Sequence, residues 1–232
     1  MASMSPHETR ASREAAFKIK VTKDGPYVVT GGVPLAEQEI CVDGEGECHG
    51  WKQEEQYPTQ DTYALCRCGH SSKMPFCDGS HVSAGFDGTE TATDCSYDEQ
   101  AIECGGPALR LTDAKALCAG ARFCHRAGGA WALARQAEDP EARQTAIEEC
   151  EECPSGRLVA WDQSNEPIEP DLEPSIGLVE DRPKGKMGPI WVRGGIRIES
   201  SDGQLYERRN RVTLCRCGKS ANKPFCDGSH LD

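Results

Sequence analysis

Short runs of β-branched and aromatic residues alternate with glycine-containing turns near both ends of the chain. Residues 27–29 (Tyr-Val-Val) directly follow a Gly-Pro pair and are separated by one residue from a Gly-Gly pair. Residues 190–192 (Ile-Trp-Val) have the same neighbours. A run of this kind, bounded by turn residues, is typical of a short strand followed by a tight turn. The pattern therefore predicts a small β-rich unit near each end.

The segment between these units, residues 111–152, has a different pattern. It is rich in alanine and poor in β-branched residues. Thr112 can cap a helix over residues 113–125, and Asp139 followed by Pro140 can begin a second helix that ends near residue 152. We therefore expect a helical module between two β units. The proline- and acid-rich stretch that follows predicts an extended linker.

The two β units are copies of one repeat. Residues 25–35 match residues 188–198, and residues 63–69 match residues 212–218. Each copy then ends on Pro-Phe-Cys-Asp-Gly-Ser-His. The predicted organisation is a flexible start (1–16), a first β half (17–92), a helical insert (93–164), a linker (165–186) and a second β half (187–232).

Each half carries a matching motif of three cysteines and one histidine that spans sixteen residues. Thiolate and imidazole are common metal ligands, and clustered Cys and His in a chain without a secretory signal usually indicate metal binding. Spacing this close allows one small loop to surround one metal centre. The candidate ligands are Cys66, Cys68, Cys77 and His81 in the first half, and Cys215, Cys217, Cys226 and His230 in the second.

Both motifs resemble the CDGSH iron-sulfur domain of the mitoNEET family, with every signature position present twice. The resemblance implies a 2Fe-2S cluster in each half, with the first two cysteines on the inner iron and the third cysteine and the histidine on the outer iron. In that family two motifs meet across a homodimer. The resemblance therefore implies an α+β fold in which two β-rich halves of one chain form an intramolecular pseudo-twofold pair, so that a monomer is complete.

The ligand set has chemical consequences. Replacing one thiolate by a neutral imidazole places the expected reduction potential between those of all-cysteine and two-histidine clusters. The histidine must be unprotonated at the ligating nitrogen, so reduction and cluster loss are expected to respond to mildly acid pH. A structural zinc site is the alternative, but a Cys-x-Cys followed nine residues later by a third cysteine is not the usual zinc-finger spacing.

The insert carries a second cysteine pattern. Cys118 and Cys124 come before the second predicted helix, and Cys153, which is followed by proline, comes after it. Bacterial ferredoxins run Cys-x2-Cys-x2-Cys and finish on Cys-Pro, and Ala121 stands in place of the middle cysteine. The segment resembles the divergent single-cluster ferredoxin domain found between CDGSH motifs in prokaryotic proteins. Three thiolates imply a 3Fe-4S cluster.

A 4Fe-4S cluster in the insert would need a fourth ligand. Cys150 lies one helical turn before Cys153, and His125 and Cys104 are the alternatives. The competing interpretation is that the insert cysteines are reduced thiols that pack as small hydrophobic side chains.

Charge and composition limit the partners. The net charge is -12, which disfavours nucleic acid and anionic membrane surfaces. No run of about 18 apolar residues is present, and the N-terminal region lacks the apolar core of a signal peptide. We therefore expect a cytoplasmic protein whose partner is a redox protein or an apo iron-sulfur acceptor.

Three functions are compatible with these motifs. The first is one-electron transfer, the second is cluster donation or redox and pH sensing, and the third is a structural zinc-binding interaction protein. No phosphate-binding loop, nucleophile elbow or dinucleotide fingerprint is present in the sequence, so an ordinary enzyme is not expected.

Overall fold

The computed structural model describes residues 16–232, so the predicted flexible start lies almost wholly outside the described residues. The strands in this range are β1 (Lys18–Val21), β2 (Tyr27–Thr30), β3 (Leu35–Val42), β4 (Cys48–Gln56), β5 (Thr62–Leu65), β6 (Ile102–Glu103), β7 (Arg110–Asp113), β8 (Leu158–Trp161), β9 (Pro167–Ile168), β10 (Ser175–Asp181), β11 (Lys186–Arg193), β12 (Arg197–Glu199) and β13 (Arg211–Leu214). The α-helices are α1 (Ser80–Ser83), α2 (Tyr97–Gln100), α3 (Ala130–Arg135) and α4 (Pro140–Glu151). Turns of 3-10 helix lie at Lys115–Leu117, Phe123–Gly128, Arg182–Lys184 and Ser229–Leu231.

The two β halves exchange a strand. One sheet has the order β12-β1-β2-β5 and the other has the order β13-β11-β10-β3-β4. The second-half strand β12 pairs in parallel with β1, and the first-half strand β3 pairs in parallel with β10. Apart from the added edge strand β4, the two sheets have the same arrangement. Without β4, each sheet has three strands from one half and one strand from the other half. This is the topology of the predicted intramolecular pair, and the α+β fold is confirmed.

The pairing registers repeat as well. Ile19 lies opposite Ile198 in the first sheet, and Ile176 lies opposite Leu35 at the equivalent place in the second. Buried side chains from both sheets form one hydrophobic cluster. Because each fully buried Val, Leu or Ile contributes roughly 1.5–3 kcal/mol, a core shared in this way stabilises the two halves together.

The predicted linker is wrong in its second part. Residues 165–174 connect the insert to the second half and include the short strand β9, but β10 lies inside the five-stranded sheet between β11 and β3. Its residues 176–179 are buried. The proline and acidic residues around β10 concealed this short apolar run, whose place in the sheet is set by pairing with β3, about 140 residues earlier in the chain.

The insert contains a sheet as well as helices. Its strands have the order β6-β7-β8-β9, and α3 and α4 pack on it around a second core. The helix predicted at 139–152 is confirmed: α4 begins at Pro140, and the Asp139 side chain accepts a hydrogen bond from the Glu141 backbone. No helix in residues 16–232 has both the length and the apolar character needed to cross a membrane.

The helix predicted at 113–125 does not form. Thr112 lies in β7, and its hydroxyl accepts a hydrogen bond from the Trp161 indole at 2.9 Å instead of capping a helix. The chain then continues through the 3-10 turns at Lys115–Leu117 and Phe123–Gly128. Threonine next to alanine-rich sequence suits a helix start, but tertiary pairing of β7 with β8 overrides that local preference.

Candidate metal centres

The first cysteine-histidine loop leaves β5 and returns to it. The Cys66 backbone N–H donates to the Pro75 carbonyl at 2.8 Å, and the Cys77 N–H donates to the Ala64 carbonyl at 2.9 Å. These two bonds fix both ends of the loop. Cys66 Sγ and Cys68 Sγ lie 3.7 Å apart, and Cys77 Sγ lies 3.5 Å from His81 Nδ1.

The second loop repeats this geometry on β13. The Cys215 N–H donates to the Pro224 carbonyl, and the Cys226 N–H donates to the Thr213 carbonyl, both at 2.8 Å. Cys215 Sγ lies 3.8 Å from Cys217 Sγ, and Cys226 Sγ lies 3.5 Å from His230 Nδ1. The two halves therefore build the same donor set in the same way.

These distances are those of ligand pairs. A tetrahedral metal with bonds of about 2.3 Å to sulfur holds two thiolates about 3.8 Å apart, and a thiolate and an imidazole slightly closer. Each half thus presents two pairs, Cys-Cys and Cys-His. Among residues 16–232 no three His, Cys, Asp or Glu side chains converge as ligands of one metal ion. The donor set fits a two-metal centre better than a single-metal site.

An aspartate holds the end of each loop that carries the histidine. The Asp78 carboxylate accepts hydrogen bonds from the backbone and hydroxyl of both Ser80 and Ser72, at 2.6–3.0 Å. Hydrogen bonds from Ser80 and Ser72 hold the pKa of Asp78 well below its usual range. The second loop has Asp227 in this role, with donors from Ser229 and Ala221. The carboxylate therefore positions the segment that delivers the imidazole.

The two loops meet back to back. Cys68 and Cys217 form an isolated antiparallel bridge. The next residues, Gly69 and Gly218, both have φ of +79°. A Cβ at Gly69 would lie 2.7 Å from the Cys217 carbonyl oxygen, and one at Gly218 would lie 2.6 Å from the Cys68 oxygen. Glycine is needed at both positions because of the backbone conformation and because of the close approach.

The insert brings three of its cysteines to one place. Cys118, Cys124 and Cys153 line a single small cavity. The predicted fourth ligands do not line it. Cys150 is fully buried in the insert core, Cys104 packs against the same core, and the His125 ring lies edge-on to Trp131. The argument for Cys150 assumed that Cys153 continues the helix, whereas α4 ends at residue 151.

Two family models match this chain. The family described as "Iron-binding zinc finger CDGSH type" matches residues 24–82 and 187–231, and the family described as "Divergent 4Fe-4S mono-cluster" matches residues 104–163 between them. The chain therefore carries two CDGSH-type iron-binding segments, one in each β half, with a divergent mono-cluster segment between them. No curated protein and no solved structure matches it.

In each CDGSH segment the first cysteine and the histidine differ in burial. Cys66 and Cys215, each the first cysteine of its motif, are 1% exposed. His81 and His230 are only half-buried. Burial lowers the pKa of His230, which favours the neutral imidazole that binds metal. The first cysteine of each half is thus shielded from solvent, while the histidine lies near the surface.

The residue between the first two cysteines was missed by sequence analysis. Arg67 and Arg216 occupy this position and are 1% and 4% exposed. Arg67 donates to the carbonyls of Thr22 and Gly88, whereas Arg216 donates to the Glu180 carboxylate at 2.7 Å. The only available signal was the repetition of Arg in both Cys-Arg-Cys triplets, which marks a position that each half uses structurally.

A buried ion pair supports the cavity of the insert. Arg157 lines the cavity and is bound by both oxygens of Asp113, at 2.6 and 2.8 Å. Its hydrogen bonds to Asp113 raise the pKa of Arg157, so the guanidinium stays charged. The Ser155 hydroxyl, which also lines the cavity, lies 3.5 Å from Cys153 Sγ. Arg122 lines the cavity as well, so the three cysteines are accompanied by two positive charges and one hydroxyl.

Proposed function

We propose that this CDGSH protein transfers single electrons through two 2Fe-2S clusters, one in each half. Cys66, Cys68, Cys77 and His81 would hold the first cluster, and the equivalent residues of the second half would hold the other. When bound, such clusters accept and release one electron at a time. The observation that carries the proposal is the arrangement of each donor set as two pairs at 3.5–3.8 Å.

We extend the proposal to a third cluster in the insert, held by Cys118, Cys124 and Cys153. Three thiolates around one cavity, without a fourth cysteine in its lining, favour a 3Fe-4S cluster over a 4Fe-4S cluster with four protein ligands. The positive charge of Arg157 would offset part of the negative charge of the thiolates. The insert would then serve as a relay to the CDGSH pair.

Cluster donation to an apo acceptor is the second candidate function. It is favoured by the half-buried histidines, which leave part of each outer ligand set open to solvent. A structural zinc site is disfavoured because a single Zn²⁺ needs four donors around one point, whereas the described ligands are arranged in separate pairs.

Metal analysis after anaerobic purification tests this function. We expect a coloured protein with about four irons from the two halves and about three more from the insert, sulfide in similar amount, and no stoichiometric zinc. EPR should show a 3Fe-4S signal in the oxidised sample and a 2Fe-2S signal after reduction with dithionite. A colourless zinc protein would refute the proposal.

Single substitutions assign the metal. Cys77→Ser and Cys226→Ser should each remove about two irons, and Cys124→Ser should remove the oxidised EPR signal. The control is Cys95→Ser, because Cys95 is exposed and outside all three sites. Iron loss in the Cys95 variant equal to that in the others would argue against the assigned ligands.

A further inference from the structure

The two CDGSH loops have the same sequence pattern but different neighbours. At the end of the first loop Val82, the residue after His81, is 77% exposed. Around Gly79 there is open space, since an added Cβ would meet no atom within 4 Å. The outer side of the first loop is therefore exposed to solvent.

The second loop is covered by the insert. Leu231, the counterpart of Val82, lies against Gly120, where an added Cβ would be 2.5 Å from the Leu231 side chain. The counterpart of Gly79 is Gly228, where an added Cβ would be 3.4 Å from the Cys118 carbonyl oxygen. Because Cys118 belongs to the three-cysteine cavity, the proposed third site lies next to the outer side of the second loop.

Hydrogen bonds attach the second loop to the insert and to the last residues of the first half, which lead into the insert. The Asn222 side chain donates to the Ala116 carbonyl at 3.0 Å, and the Lys223 carbonyl accepts from the backbone N–H groups of Thr91 and Ala92, each at 2.8 Å. The equivalent first-loop residues are Lys73 and Met74. Within residues 16–232 neither of these makes a hydrogen bond outside its own half.

We propose that the second loop is an internal junction with the insert and that the first loop is the port at which a one-electron acceptor protein docks. This inference rests on the proposed electron-transfer function and assigns its partner surface. In the transfer step one electron leaves the site held by the first loop, which is oxidised by one unit, and the acceptor is reduced by one unit. No bond is made or broken.

Charge indicates the kind of acceptor. The chain carries a net charge of -12, so a protein with a basic face is attracted at long range. At short range Val82 offers an apolar contact beside the half-buried His81. An acceptor with a basic rim around a small apolar contact and a one-electron centre fits this surface.

Three matched variants test where the acceptor docks. Val82, Ile102 and Leu205 are the large hydrophobic side chains that are exposed in the described part of the chain, at 77%, 65% and 63%. Val82 lies at the first loop, Ile102 lies on the insert, and Leu205 lies in the second half between β12 and β13. Replacing each by lysine changes the net charge equally, so any difference between the variants reports the local contact.

The probe is cytochrome c, a basic one-electron acceptor. The dithionite-reduced protein, freed of excess reductant, is mixed with oxidised cytochrome c in a stopped-flow instrument. Val82→Lys should slow the reduction of cytochrome c about tenfold, and Ile102→Lys and Leu205→Lys should slow it less than about twofold. Equal slowing by all three variants, or the largest effect from Ile102→Lys or Leu205→Lys, would overturn the proposed port.

Iron release provides a second readout that does not depend on electron transfer. With a ferrous chelator and a reductant, the CDGSH iron should leave in two phases, of which the fast phase belongs to the first loop. His81→Cys should remove the fast phase, and His230→Cys should leave it. A single phase, or loss of the fast phase in His230→Cys, would contradict the inference. Absence of the clusters, visible in the optical and EPR spectra before mixing, would instead refute the proposed function.

Discussion

The two CDGSH halves show how one motif acquires two environments. In both halves the loop closes on its strand through equivalent backbone bonds, and the donor pairs have the same separations within 0.1 Å. Outside the loop the halves differ, since the insert covers Leu231 and leaves Val82 exposed. The motif therefore determines which side chains come together, and the surrounding chain determines which of them another molecule can reach.

The largest expected effect comes from a substitution that disrupts the insert and so makes the two halves release iron at similar rates. Asp113→Ala leaves the largely buried Arg157 guanidinium without its carboxylate partner, which should cost about 3–5 kcal/mol. Urea unfolding measures the stability. Chelator kinetics should then show iron leaving both halves at similar rates, because the cover over the second loop is loosened.

The control for this change is Glu103→Ala. Glu103 pairs with Arg110 at the surface, where its side chain is 67% exposed, so removing it should cost less than about 1 kcal/mol.

A slow phase of iron release that persists in Asp113→Ala despite the loss of stability would show that the insert is not what protects the second loop.

The next largest effect is a loss of stability that should be equal in both halves. Gly69→Ala and Gly218→Ala each place a Cβ within 2.7 Å of the opposite loop's backbone and impose strain at positive φ. We expect each to lower the free energy of unfolding by about 2–4 kcal/mol. Gly79→Ala has a similar φ but open space, and it should cost only about 1 kcal/mol. Clearly unequal losses at Gly69 and Gly218 would break the pseudo-twofold relation of the loops.

A smaller loss of stability should differ between the two halves. Leu231→Ala removes packing against Gly120 and should cost about 1–2 kcal/mol, since Leu231 is only half-buried. Val82→Ala removes an exposed side chain and should change stability by less than about 0.5 kcal/mol. Thermal and urea unfolding compare the two. Similar costs would mean that Val82 is buried in solution.

The smallest expected effect concerns one hydrogen bond. Asn222→Ala removes the bond to the Ala116 carbonyl, which should cost about 0.5–1.5 kcal/mol and speed hydrogen exchange in the second loop. Lys73→Ala, at the matching position of the first loop, should leave both quantities unchanged. An unchanged exchange rate in Asn222→Ala would show that this bond does not hold the loop to the insert.

Sequence reasoning identified the two candidate ligand sets because each set lies within sixteen residues. It failed where neighbours come from distant parts of the chain. Glu149 lies in an acidic stretch that is typical of a solvated helix face, yet it is buried, and burial raises its pKa to about 8. Cys150 precedes Cys153 by three residues, but it points into the insert core because the helix ends between them.

The sequence by itself determined the repeat, the two donor sets, the insert between them and helix α4. These depend on local spacing, turn residues and capping, which act over a few residues of the chain. Only the tertiary structure decided the exchange of β3 and β12, the place of β10 in the sheet, and the cover over the second loop. Each of these is a contact between segments far apart in sequence, which no local pattern encodes. Burial of apolar surface in one shared core selects the strand pairings, and side-chain packing and hydrogen bonds hold the cover over the second loop.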